Sequence, residues 1–145
     1  MARNQIATHF KLTEVACHDG TPYPVEWIES RLKPLLVAAE WIRRECGFPL
    51  HVSSGFRTEG YNRRIGGARR SQHVQGRALD LIPSVRGAVA MRKALVELEI
   101  AAVDARDAGL ITGIGFYHDF VHIDTRPGRK VTWGGSRTNT ENRLA

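Results

Sequence analysis

The chain has few of the features that mark several common protein classes. Its two cysteines, Cys17 and Cys46, are too few for the disulfide framework of a small secreted domain. No apolar run approaches the ~18 residues that a membrane-spanning helix needs, and no apolar stretch typical of a secretory signal lies between Met1 and Lys11. Internal repeats and low-complexity tracts are also absent. A disulfide scaffold, a membrane-spanning protein and a collagen-like chain are therefore excluded.

The composition that remains is typical of a globular domain. Hydrophobic residues make up 42% and charged residues 25% of the 145 positions. We therefore expect a single domain over residues 1–145, with a core at about 9–134 and a tail at 135–145.

Positive charge is unevenly distributed along the chain. The net charge is +6, and residues 57–77 contain six arginines against the single acid Glu59. Such a segment suits a carboxylate-bearing substrate, an anionic surface or a nucleic acid, although a merely solvated surface is the alternative. Because no nucleic-acid motif is present and the basic residues do not line one helix face, we expect no nucleic-acid partner.

Hydrophobic periodicity predicts an α+β fold. Apolar residues recur at helical spacing over 25–46 and 85–107, and Pro34 is expected to kink or break the first of these helices. Further helical turns and strands are predicted from local patterns, the turns over 12–16 and 58–64 and the strands over 50–54, 77–82, 111–117 and 120–125. The last two strands are expected to form a hairpin. This order predicts a small, mainly antiparallel sheet with helices packed on one face. Trp133 is a candidate to fold back onto the body.

Three polar residues lie where a core would not favour them. Asp80 and His122 each lie inside a predicted strand between two apolar residues, and His73 lies in the loop before the first of these strands. A buried carboxylate and a buried imidazole in neighbouring strands need compensation, which a shared cation provides. Two imidazoles and one carboxylate are a frequent ligand set for catalytic zinc, which activates water for attack on a carbonyl. His73, Asp80 and His122 are therefore candidate zinc ligands.

Three motifs follow one another in the chain. Residues 54–57 read S-G-F-R, residues 71–80 read S-x-H-x-x-G-x-A-x-D, and residues 119–122 read D-x-x-H. In this order they resemble the zinc D-Ala-D-Ala carboxypeptidase family and its phage L-alanyl-D-glutamate endopeptidase (endolysin) relatives, which share the hedgehog-like metallopeptidase fold. The resemblance extends from about His9 to Gly134.

The resemblance implies roles for individual residues. It assigns one Zn²⁺ ion to His73, Asp80 and His122, and it makes Arg57 the contact of the substrate carbonyl or its developing oxyanion. Asp119, three residues before His122, matches the acidic general base of the family.

Several positions remain open. Asp124 is the alternative base because alternation places it on the same strand face as His122; otherwise it orients a ligand or the arginine. Besides Arg57, the candidates for substrate contact are Ser71, Gln75 and His118.

The function implied is hydrolysis of peptidoglycan stem peptides. The competing reactions are D,D-carboxypeptidase, D-alanyl-D-alanine dipeptidase and endopeptidase at L-alanyl-D-glutamate or at a cross-link. Because no long insertion is present to close the cleft, we favour an open cleft that acts on polymer or muropeptide, as in a compact phage lysin.

A non-catalytic zinc-binding module that binds cell-wall peptide is the alternative function, although the complete set of Arg57, Asp119 and three ligands favours an enzyme. We expect a monomer without membrane insertion. We also expect it to stay in the cytoplasm until release to the cell wall, or to be exported by another route.

Overall fold

The computed structural model of the chain describes residues 4–135. The α-helices in this part are α1 (Leu12–Val15), α2 (Lys33–Cys46), α3 (Glu59–Arg64) and α4 (Ala88–Asp107). The strands are β1 (Leu50–Ser54), β2 (Ala78–Pro83), β3 (Gly113–Phe116), β4 (Val121–Asp124) and β5 (Val131–Gly134). Every predicted helix and strand is present, most with ends shifted by one to three residues, and β5 is an addition. The tail at 135–145 lies, apart from its first residue, outside the described residues.

The five strands form one sheet in the order β1-β2-β4-β3-β5. The pairs β1-β2, β2-β4 and β4-β3 are antiparallel, whereas β5 joins β3 in parallel at the sheet edge. The predicted hairpin of β3 and β4 is therefore present, and the predicted α+β class with a mainly antiparallel sheet is confirmed. The segment around Trp133 folds back as an edge strand.

The first long helical segment changes its geometry before Pro34, as the sequence predicts. A 3-10 turn at Val25–Trp27 and a π-helical turn at Ile28–Leu32 precede α2. Pro34 lies in the first turn of α2, where its missing backbone N–H leaves no helical hydrogen bond unmade. Gly47 ends the helix with a left-handed φ of 78°.

The hydrophobic core lies between the helices and one face of the sheet. Helix α4 packs against β2, β3 and β4, and α2 packs against α4. Leu79 and Leu81 of β2 and Ile123 of β4 are fully buried in this core. Because strand residues alternate between the two faces, Asp80 and His122 lie on the opposite face of the sheet. None of the helices within residues 4–135 is both long and apolar enough to cross a bilayer.

Candidate metal centre

Two of the predicted ligands meet across a pair of neighbouring strands. In the antiparallel register of β2 and β4, Asp80 lies directly opposite His122. Directly opposite residues of such a pair have side chains on the same face and close together. Both side chains are buried, with exposed fractions of 4% for Asp80 and 7% for His122. The sheet thus brings together two polar residues that are 42 positions apart in the chain.

The loop between α3 and β2 supplies His73, which is also buried. Its ring atom Nδ1 lies 2.7 Å from the carbonyl oxygen of Gly55, and its backbone N–H donates to Ser71 Oγ at 3.1 Å. The backbone N–H of Arg57 donates to the His73 carbonyl at 3.1 Å. The S-G-F-R segment therefore fixes the position of this histidine as well as contributing Arg57.

Three side-chain acceptor atoms converge at one point. His73 Nε2 and His122 Nδ1 each lie 3.1 Å from the same carboxylate oxygen, Oδ1 of Asp80. The other ring nitrogens face acceptors too, since His73 Nδ1 meets the Gly55 carbonyl and His122 Nε2 meets Asp124 Oδ2 at 2.8 Å. If those outer nitrogens carry the ring protons, the inner nitrogens have free lone pairs that point at a carboxylate. Lone pairs of the two nitrogens and of the carboxylate then repel one another. A cation between them removes this repulsion, so the donor set fits a divalent metal ion.

The three candidate ligands are close enough to share one ion. The three ligand atoms of His73, Asp80 and His122 lie within 4.8 Å of one another. Among residues 4–135 this is the one cluster of histidine, cysteine and acidic side chains with such geometry. The structure therefore brings together all three residues that the sequence predicted as ligands.

Burial and hydrogen bonds within the centre shift the pKa values of its three candidate ligands. Burial lowers the pKa of His73 from its usual value despite the nearby Asp80 carboxylate, which favours the neutral ring. Burial by itself raises the pKa of Asp80, but hydrogen bonds with His122 and His73 outweigh it and hold that pKa well below its usual range. Burial also lowers the pKa of His122, yet hydrogen bonds with Asp124 and Asp80 outweigh it and raise that pKa above its usual value.

Asp124 supports His122 from behind. Its carboxylate is fully buried and also accepts hydrogen bonds from Arg126, at 2.9 Å from Nε and 2.6 Å from the guanidinium amine. Burial raises the pKa of Asp124, but the bonds with His122 and Arg126 outweigh it and lower this pKa to about 2. A carboxylate behind a ligating histidine orients the ring and fixes its tautomer.

Arg57 lies beside the three ligands and is held on three sides. Its Nε donates to Ser54 Oγ at 3.0 Å and one terminal amine donates to Asn62 Oδ1 at 3.2 Å. The other terminal amine lies 3.5 Å from Asp80 Oδ2. The side chain is 14% exposed, so the guanidinium is fixed next to the centre and still accessible from the cleft.

A cavity of about 480 Å³ opens onto the centre. Arg57, Arg70 and Arg126 contribute positive charge to its wall, and an aromatic side contains Tyr117, Phe120 and Trp133. Tyr117 and Phe120 are stacked with ring centroids 4.4 Å apart, and Trp133 Nε1 donates to the Tyr117 hydroxyl at 2.9 Å. The cavity is within the size range of small-molecule and peptide sites.

The other predicted site residues lie at different distances from this cavity. Ser71 and Arg57 line it, whereas the predicted substrate contacts Gln75 and His118 do not. Asp119 and His118 are exposed in the turn between β3 and β4, and neither lines the cavity. Their predicted roles remain predictions.

Several residues that line the cavity were not predicted from the sequence, Arg126 and Trp133 among them. Arg126 and Trp133 both line the cavity, and the Arg126 guanidinium lies 5.1 Å from the centre of the Trp133 ring. Arg126 lies two residues beyond Asp124. If the alternation of strand β4 is extended to this position, Arg126 falls on the same face as His122. No local signal identifies Trp133, whose position depends on the pairing of β5 with β3.

Comparison with known protein families agrees with this geometry. A family model described as Peptidase M15 matches residues 7–124, which is most of the chain and includes all three candidate ligands. The chain belongs to the peptidase M15 family. M15 peptidases are metal-dependent hydrolases, so the prediction of a metallopeptidase is confirmed at the level of the family. A search of curated proteins found no match to the chain.

Proposed function

We propose that this M15 peptidase is a zinc enzyme that hydrolyses amide bonds in peptidoglycan stem peptides. One observation carries the proposal: two imidazole nitrogens and one carboxylate oxygen converge at the floor of an open, arginine-lined cleft. His73, Asp80 and His122 would hold a single Zn²⁺ ion. Two nitrogen ligands and one oxygen ligand are typical of catalytic zinc sites, which leave one coordination position free. Bound there, the ion would supply Lewis acidity for water and for the scissile carbonyl.

Arg57 is the proposed oxyanion contact. Hydrogen bonds with Ser54 and Asn62 hold its guanidinium beside Asp80, so little reorganisation is needed when negative charge develops on the carbonyl oxygen. Arginine stays protonated at all working pH values, which suits a purely electrostatic role.

Asp119 is the proposed general base, and Asp124 the positioning residue behind His122. Both carboxylate oxygens of Asp124 already accept hydrogen bonds from His122 or Arg126, and its side chain is fully buried. The Asp119 carboxylate makes no hydrogen bond or ion pair within residues 4–135 and lies in an exposed turn three residues before His122. The role requires this turn to bring Asp119 over the centre when substrate binds.

The open cleft supports a polymer or muropeptide substrate. Three arginines in its wall suit peptides with free carboxylates, and the stacked rings of Tyr117 and Phe120 line its aromatic side. We therefore favour endopeptidase or D,D-carboxypeptidase action, as in a phage lysin, over enclosure of a free dipeptide. The protein is proposed to act as a monomer after release or export to the cell wall.

Mass spectrometry of digested peptidoglycan tests the proposal. Zinc-loaded protein is expected to create new peptide termini, and their position at D-Ala, at L-Ala or at a cross-link identifies the reaction. His122→Ala is expected to abolish cleavage, whereas His51→Ala, which replaces an exposed histidine on β1, is expected to leave it intact. Absence of cleavage by protein that retains zinc would contradict the enzyme and favour the non-catalytic module.

A further inference from the structure

A second cavity adjoins the metal-centre cavity. Its volume is about 720 Å³, and the two cavities share Gly67, Arg70 and Ser71 in their walls. The two cavities are therefore adjacent, and a ligand long enough to extend past these three residues can occupy both at once. Peptide-sized ligands meet this requirement, whereas a single small ion or amino acid does not.

Three arginines dominate the charge of this second cavity. Arg63, Arg69 and Arg70 line it, against the single carboxylate of Glu59. Within residues 4–135, none of the three guanidinium groups forms an ion pair or a side-chain hydrogen bond. The cavity therefore carries positive charge that the described protein does not neutralise, and its donors are free for an anionic group.

The loop that carries these arginines is fixed to the metal centre. Asn62 is buried, with an exposed fraction of 5%, and its side-chain amide donates to the Ala68 carbonyl at 2.9 Å. Its Oδ1 accepts the hydrogen bond from Arg57, and its carbonyl accepts one from the Gly67 N–H at 2.8 Å. One buried side chain thus connects the proposed oxyanion contact to the start of the segment that bears Arg69 and Arg70.

We propose that the second cavity is a subsite for a carboxylate of the peptide substrate, at a residue close to the scissile bond. The inference rests on the proposed function and adds a specificity determinant to it. Guanidinium groups recognise carboxylates through paired hydrogen bonds, and Arg63 and Arg69 line this cavity without lining the one at the metal centre. Because the two cavities share part of their walls, a carboxylate bound in the second cavity can belong to the same peptide as the scissile bond at the metal centre. Arg63 and Arg69 therefore select acidic stem peptides over amidated ones.

The test compares two muropeptides that differ only in whether their carboxyl groups are free or amidated. Arg69→Gln is expected to lower kcat/KM on the acidic peptide about tenfold, through KM, because a charge-assisted hydrogen bond is lost. It is expected to leave the amidated peptide unchanged. Arg64→Gln is the matched control, since Arg64 is exposed on the same segment, lies over Tyr61 and lines neither cavity.

The outcomes separate the subsite from the proposed function. Equal kcat/KM of the unmodified enzyme on both peptides would overturn the subsite and leave the peptidase intact. Equal losses for Arg69→Gln and Arg64→Gln would also overturn it, because they would indicate general attraction by charge. Cleavage of neither peptide would overturn the peptidase, and with it the subsite. Arg63→Gln repeats the measurement at a second position and is expected to show the same selective loss.

Discussion

At the scale of single residues, the outer hydrogen bonds of the two histidines decide which ring nitrogen faces the centre. His73 is oriented by a backbone carbonyl and His122 by the Asp124 carboxylate. Each bond favours a proton on the outer nitrogen and leaves the inner one free as a ligand. The spacing of the motifs predicted the three ligands, but it contains no information about which nitrogen is used.

Replacing the two candidate base residues distinguishes their roles. Asp119→Asn is expected to retain zinc and lose turnover by at least about a hundredfold, because the group that accepts the proton is gone. Asp124→Asn is expected to weaken zinc binding by about 10- to 100-fold, because the support of His122 is lost. Competition with a chelator gives the zinc affinity, and peptide hydrolysis at saturating zinc gives the turnover.

The opposite pattern would reverse the assignment. If Asp119→Asn hydrolyses peptide normally while Asp124→Asn binds zinc normally and is inactive, then Asp124 is the base.

At the scale of elements, the loop from α3 to β2 depends on close packing at Gly76. This glycine has a φ of +67°, and a Cβ atom there would lie 2.8 Å from both Trp27 Cε3 and the Tyr23 hydroxyl. The buried Tyr23 hydroxyl donates to the Gly76 carbonyl at 2.6 Å, and burial raises the pKa of Tyr23 to about 12. The glycine of the S-x-H-x-x-G motif is thus required because the turn that holds His73 packs against two aromatic rings.

Gly76→Ala is expected to destabilise the protein by about 2–4 kcal/mol, through a left-handed alanine and a steric clash. Gly109→Ala is the matched control, because Gly109 has a φ of +80° and no atom within 4 Å of an added Cβ. The control is expected to lose only about 1–2 kcal/mol. Urea unfolding measures both variants, and equal losses would show that packing against Tyr23 and Trp27 contributes nothing.

Strand β5 is the element that local sequence did not predict. It has four residues and pairs in parallel with β3 at the edge of the sheet. Gly115 makes room for it, since a Cβ atom there would lie 2.6 Å from the Trp133 ring. In so short a segment, the alternation of apolar and polar residues is not informative. Its pairing depends on the space that Gly115 leaves in β3, a strand distant in the sequence.

At the scale of the whole molecule, metal binding is linked to proton release. Burial lowers the pKa of His122, but hydrogen bonds with Asp124 and Asp80 outweigh burial and raise that pKa above its usual value. Zinc needs the deprotonated nitrogen, so its binding displaces a proton below that pKa. The apparent affinity is therefore full at higher pH and lost as the pH falls.

We expect the apparent zinc affinity to fall by up to about tenfold per pH unit below the pKa of His122. Chelator competition from pH 8 to pH 5 measures this slope. Zinc at a hundred times its Kd is expected to stabilise the fold by about 2.7 kcal/mol at high pH, seen as a rise in Tm. His122→Ala removes both effects, and a Tm shift that persists in this variant would place the ion elsewhere.

The sequence by itself determined the residue types of the centre and the strand faces that bear them. Both follow from local spacing, because side chains alternate along a strand and motif residues keep fixed separations. Only the tertiary structure decided that Arg126 and Trp133 line the cleft, that Asn62 connects Arg57 to the arginine-rich segment, and that a second cavity adjoins the first. These features depend on contacts between residues that are far apart in the chain. Strand order and loop packing determine those contacts, and local sequence patterns do not contain them.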